Sequence, residues 1–188
     1  FSGVSKSKTI HCNENGYYSI YNSDRFGFNN KDKVWDKNRI EYLLIGDSFT
    51  HGACVNREGN IGANLEALSK NTVLNLGFSG NGPLVEFATL REYLMPNVNK
   101  ILWIYYENDL ENLNVELKNP ILKKYIQSPN FSQNLKGRQN EIDNYLDEYV
   151  MKNFSNKKRN NKNIFDYLKR FIELQHFRNY LSSLQQLP

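Results

Sequence analysis

No stretch of this chain approaches the ~20 consecutive apolar residues that a membrane-spanning helix requires, which excludes a helical membrane span within it. Cysteine is scarce. Cys12 and Cys54 are the only two, and they allow either one disulfide or two buried thiols. With only three histidines beside them there is no zinc-type cluster, so neither a metal nor a cofactor is expected. Excess charge of one sign is also lacking, because 24 Lys and Arg face 20 Asp and Glu for a net charge of +4. That balance gives no case for nucleic-acid or membrane-surface binding. An initiating methionine is absent too. The chain opens on Phe1, so its start is read as processed or truncated, and a periplasmic or otherwise exported location is expected.

What is present suffices for a folded domain. In 188 residues, 39% are hydrophobic and 13% aromatic, which excludes a disordered chain despite a mean hydropathy of -0.67. Three short apolar runs each end in a polar loop. Leu43-Leu44-Ile45 runs into Gly46-Asp47-Ser48-Phe49-Thr50-His51-Gly52, delivering a serine into a turn. Thr72-Val73-Leu74-Asn75-Leu76 runs into the glycine-rich loop Gly77-Phe78-Ser79-Gly80-Asn81-Gly82-Pro83. Lys100-Ile101-Leu102-Trp103-Ile104-Tyr105 runs into Tyr106-Glu107-Asn108-Asp109. Each loop therefore offers one group suited to acyl chemistry: a hydroxyl, a backbone N–H at a glycine, and a side-chain amide.

These residues resemble the blocks of the SGNH hydrolases, the GDSL-type serine esterases. Gly46-Asp47-Ser48 matches the first block, Gly80 the second, and Asn108-Asp109 the Asn-Asp of the third. Gly80 lies 32 residues after Ser48 and Asn108 another 28 beyond it, each interval long enough for the helix and strand of a parallel crossover. The Gly-Asp-Ser-Phe-Thr reading and the preceding Arg25-Phe26-Gly27-Phe28-Asn29-Asn30 segment resemble a bacterial subgroup. The resemblance covers roughly the first two-thirds of the chain. It implies an α/β three-layer sandwich with a parallel sheet, flavodoxin-like in topology. Ser48 would be the nucleophile, with Gly80 and Asn108 as oxyanion donors; His51, Asn81 and Asp109 are expected to line the substrate cleft. Asn81 and Asp109 have a second reading, as residues that satisfy turn backbone. Asp47 is read as a cap or loop partner.

The chain departs from the family in two places. No glycine lies between Trp103 and Leu113, where the third block normally has one. The fourth block, Asp-x-x-His, is missing: Asp143, Asp147 and Asp166 are followed three residues later by Leu146, Val150 and Lys169. Glu173-Leu174-Gln175-His176 is the nearest substitute and reads as a helix face, while His11 reads as a surface residue of the N-terminal arm.

The organisation that follows is an arm over 1–39 with Tyr17–Tyr21 as an edge strand, an α/β core over 40–126, and a helical segment over 127–188. Pro83 and Pro96 bound one helix. Ile61, Leu65 and Leu68 mark the helix before it; Leu110, Leu113 and Leu117 share a face of one after it. Ile142, Tyr145, Leu146, Tyr149 and Val150 give a clean amphipathic repeat. Asn156–Asn163 reads as a hydrophilic linker before a last helix, from Ile164 to Leu184. The helices are read as an insertion within the fold, the sheet as incomplete and the natural protein as continuing past Pro188; the competing reading is a shortened domain that folds as it stands and has lost its catalytic base. Three functions compete: an esterase acting on O-acyl groups of a carbohydrate, an O-acyltransferase using the same acyl-enzyme, and a non-catalytic carbohydrate-binding module. The expected partner is a small-molecule or carbohydrate ester, and the sequence assigns no oligomeric state.

Overall fold

The computed structural model describes residues 2–14 and 16–160, with side chains to residue 153. It is a mixed α/β chain built on a three-stranded parallel sheet. Strand β3 (Ile40–Ile45) lies in the middle, flanked by β4 (Val73–Asn75) and β5 (Val98–Trp103). Two short strands, β1 (Lys8–Ile10) and β2 (Ile20–Asn22), form a separate antiparallel pair in the arm. The edge strand expected over Tyr17–Tyr21 thus starts later, because Gly16 takes a left-handed turn and leaves Tyr17 and Tyr18 exposed.

The middle position of β3 follows from its composition. Ile40, Leu43, Leu44 and Ile45 are all inaccessible to solvent, and only a strand covered on both faces can bury a continuous apolar run. The connections are helical, as parallel strands require. From β3 the chain passes through α1 (Ser48–His51) and α2 (Ile61–Ser69) to β4, then through α3 (Pro83–Tyr93) to β5. Pro83 occupies the first turn of α3, where its missing N–H costs no hydrogen bond. After β5 come α4 (Asp109–Glu116), α5 (Pro120–Gln127) and α6 (Gln139–Asn160).

The arm is part of the core. Phe28, Val34 and Trp35 bury themselves with Leu43, Ile45, Leu74, Leu76 and Tyr93 in the main apolar cluster. A second cluster joins Leu84 and Ala88 of α3 to Leu122 and Tyr125 of α5. By contacts the chain divides into Phe1–Leu146 and Asp147–Pro188. The stretch 127–146, grouped by sequence with the C-terminal helices, therefore packs with the sheet through Leu135 and Ile142. Helix α6 runs to Asn160, into the segment read as a linker, and the rest of that segment and the expected last helix lie outside the described residues. The apolar marks on the helices are only partly used. Leu68, Leu110, Tyr145 and Tyr149 face solvent, since each of these helices packs a single narrow stripe.

Cys12 and Cys54 form a disulfide with a Cα separation of 4.8 Å, tying the arm to the turn behind α1. Cross-linking a loop of this length is worth about 4 kcal/mol in chain entropy, less any native strain. Replacing both cysteines with serine is expected to lower the unfolding free energy by about 2–4 kcal/mol. Urea unfolding checks this. An unchanged midpoint would mean that the arm is held without the bridge.

Candidate active site

The three strands run parallel, so the loops that follow them leave the same edge of the sheet. In sheets of this kind that edge, near the point where strand order reverses, is where ligands bind. Here the reversal falls between β3 and β5. Contacts between the loops hold them together: Phe78 N–H donates to the Gly46 carbonyl (3.1 Å), Ile104 N–H donates to the Ile45 carbonyl (2.9 Å), and the Phe49 and Tyr106 rings lie 4.3 Å apart.

Gly46 ends β3 where no side chain would fit, since a Cβ there would come within 2.7 Å of the Ile104 carbonyl oxygen. Asp47 then caps α1 by accepting the Phe49 N–H (2.9 Å). Ser48 opens the helix, half-buried, and its hydroxyl donates to Asp47 Oδ2 at 3.4 Å. Helix α1 is a single turn and cannot hold itself. Its last carbonyls are taken by side-chain amides instead: Asn75 Nδ2 donates to Thr50 O (2.6 Å) and Asn29 Nδ2 to His51 O (3.1 Å).

The loop after β4 engages its backbone donors one by one. Gly77 N–H donates to Asn75 Oδ1 (2.8 Å), Phe78 N–H to Gly46, Ser79 N–H to His51 Nδ1 (3.2 Å), Asn81 N–H to Phe78 O (3.2 Å) and Gly82 N–H to Glu116 Oε1 (2.8 Å). Among the described residues Gly80 N–H alone in this run has no acceptor. Gly80 sits at φ 87°, a left-handed conformation natural to glycine, and faces open space.

The turn after β5 forms without the glycine that the resemblance leads one to expect there. Asp109 replaces it: its Oδ2 accepts the Tyr106 N–H (2.7 Å) while its own N–H donates back to Tyr106 O (3.1 Å). No residue of this turn takes a left-handed conformation, so no glycine is required. Asn108 is exposed, and its side chain does not cap α4. No family model matches this chain, and no curated protein and no solved structure matches it either.

The three residues expected to line the cleft, His51, Asn81 and Asp109, are all buried. His51 is 1% exposed, with Nε2 at 2.8 Å from Tyr21 Oη and Nδ1 at 2.9 Å from Ser79 Oγ. Both ring nitrogens are therefore engaged away from Ser48. Asp109 is fully buried because it closes its own turn, and Asn81 is buried at the foot of α3. His11 lies beside the disulfide, 3.4 Å from Cys12 Sγ, and His176 lies outside the described residues. Among the described residues, the one acceptor bonded to the Ser48 hydroxyl is Asp47. Among the described residues no three His, Cys, Asp or Glu side chains group as metal ligands would.

The sequence reading passed over Glu86, which is buried on α3 beneath this edge. Its Oε2 accepts the Trp103 indole N–H (2.6 Å), and its Oε1 has no partner. The available signal was a carboxylate inside the apolar pattern of α3. Burial pushes Glu86 up to about 8, opposed by the Trp103 bond and reinforced by the negative charges of Asp109, Asp47 and Glu116. Burial also raises Asp109, opposed by the Tyr106 N–H and reinforced by Asp47. A carboxyl group raised on folding favours the folded state below its unfolded value, and that advantage is lost as pH rises toward the folded value. Glu86→Gln is therefore expected to gain stability relative to the parent chain between pH 4.5 and about 8, on the order of a few kcal/mol. Thermal melts across that range check it. A difference independent of pH would show that folding does not shift the Glu86 carboxyl.

Proposed function

We propose that the chain is a serine ester hydrolase of the SGNH type, acting on an O-acyl ester of a carbohydrate. One observation supports this above the rest: among the described residues the Gly80 N–H is the one backbone donor of the loop after β4 with no acceptor, and that loop leaves the same sheet edge as the loops that carry Ser48 and Asn108. In this reading the Ser48 oxygen adds to the ester carbonyl carbon. The resulting oxyanion accepts hydrogen bonds from the N–H groups of Ser48 and Gly80 and from the Asn108 amide. Collapse breaks the bond to the alcohol, which leaves with a proton, and an acyl-enzyme remains. Water then releases the acid and restores the hydroxyl.

The weak element is proton removal. A positioned general base contributes typically about 10²–10⁴-fold, and among the described residues no histidine reaches Ser48. That absence favours one alternative, a module that binds an acylated sugar at the same edge without turning it over.

Hydrolysis of p-nitrophenyl acetate separates the two readings. The chain is expected to be a slow esterase, losing its turnover in Ser48→Ala and about 10²–10³-fold in Asn108→Ala. A rate equal in the parent chain and Ser48→Ala would overturn the hydrolase reading. A fast reaction abolished by His176→Ala would identify that histidine as the base.

A further inference from the structure

His51 stands between the arm and the site, and its surroundings fix its protonation state. A backbone N–H can only donate, so the nitrogen that faces Ser79 N–H must be the acceptor. The hydrogen-bond network therefore assigns the ring proton to Nε2, which donates to Tyr21 Oη. The ring is also held by packing. Phe78 stacks on it at 5.0 Å, while His11 and Tyr21 meet it edge-on at 5.0 and 5.4 Å. The arm that carries His11 and Tyr21 is joined to the turn behind α1 by the Cys12–Cys54 bond.

We propose that His51 is a positioning residue for the oxyanion donor: by taking the Ser79 N–H on Nδ1 while Tyr21 holds Nε2, it leaves the Gly80 N–H as the donor the loop offers to substrate. The inference rests on the reading of Gly80 given above. It gives His51 a role that does not require it to touch the nucleophile. A ring that gained a proton on Nδ1 would present a donor to the Ser79 N–H, and the loop would lose its anchor. The titratable groups that face the ring are His11 and Tyr21, both from the arm; the loop presents only Phe78 and Ser79. Burial, with His11 adding to it, pushes His51 down to about 4, so the acceptor persists from the mildly acidic range upward. The sign follows from linkage: the contribution is complete above the ordinary value of 6.5 and is lost as pH falls through 6.5 toward 4.

The test compares His51→Asn, which keeps an acceptor at the Nδ1 position, with His51→Leu, which keeps bulk and no acceptor. The readout is the rate at which an alkyl fluorophosphonate labels Ser48, followed by mass spectrometry at pH 7.5, with Ser48→Ala as the blank. In that labelling the serine oxygen bonds to phosphorus, fluoride leaves, and the hydroxyl proton passes to solvent. His51→Leu is expected to label about tenfold or more slowly than the parent chain, and His51→Asn to recover most of the rate. Amide exchange supplies a second readout, with Ser79 faster in His51→Leu and protected in His51→Asn. If Leu and Asn label equally slowly with the same Ser79 exchange, the ring only fills space and the proposal is overturned. Equal rates in all three chains would overturn it too, while leaving Ser48 as the nucleophile. No labelling of Ser48 in the parent chain would remove the hydrolase reading, and this inference with it.

Discussion

The structure depends on how the outer edge of β4 is closed. Residues of an edge strand carry N–H and C=O groups with no neighbouring strand, and buried ones must still find partners. At Asn75 a single side chain takes that place. Asn30 accepts the Asn75 N–H (2.9 Å) on Oδ1 and donates from Nδ2 to the Asn75 carbonyl (2.8 Å). The same Nδ2 also donates to Asp24 (2.8 Å), which is fully buried and further accepts Trp35 Nε1 and the N–H groups of Phe26 and Phe28. Burial raises the Asp24 carboxyl, and these four bonds oppose that rise. Asn75 meanwhile turns its own side chain toward Thr50 and Gly77, so one chain of amides links the arm, the sheet and the turn that carries Ser48. Breaking any member leaves a buried polar group unmatched, which costs about 1–3 kcal/mol.

The other edge of the sheet is built differently. From Asn99 to Trp103 every residue of β5 is exposed, and no strand among the described residues pairs with its outer side. Ile101, Leu102 and Trp103 are all accessible there. Trp103 is nonetheless fixed, because its indole donates to Glu86 and its ring lies parallel to that of Phe87. The turn that carries Ser48 thus stands between a closed side, stiffened by amides and the disulfide, and an open side anchored through one buried carboxyl. Burial works against charge on both sides: it pushes His51 down to about 4 on the closed side and Glu86 up to about 8 on the open side.

Strand positions were legible because continuous apolar runs ending in Gly, Asn or Asp carry their own boundaries. The order of those strands in the sheet was expected only through the family resemblance. The first turn of α3 could be read from Pro83, whose chemistry is local. Helix faces were less legible: Ile61, Leu65 and Leu68 have a helical spacing, yet Leu68 is largely exposed, since spacing identifies a helix and not what lies opposite it. The arm was hardest to read. Its Phe28, Val34 and Trp35 show no clean period, and they enter the core through turns organised by Asp24 rather than through a regular element.

By itself the sequence determined which groups are available at the ends of the strands: a serine after Gly46, a glycine at position 80, an amide at position 108. These follow from local chemistry, because a parallel strand must end in a loop and its residues are written in order. Only the tertiary structure decided which of those groups remain free to act. His51, Asn81 and Asp109 read as cleft residues, but folding buried them and bound His51 and Asp109 to the arm, the loop after β4 and a turn backbone. The physical reason is that hydrogen-bonding capacity is allocated across the whole fold. Whether a polar side chain faces a substrate depends on buried partners dozens of residues away, and no local pattern records them.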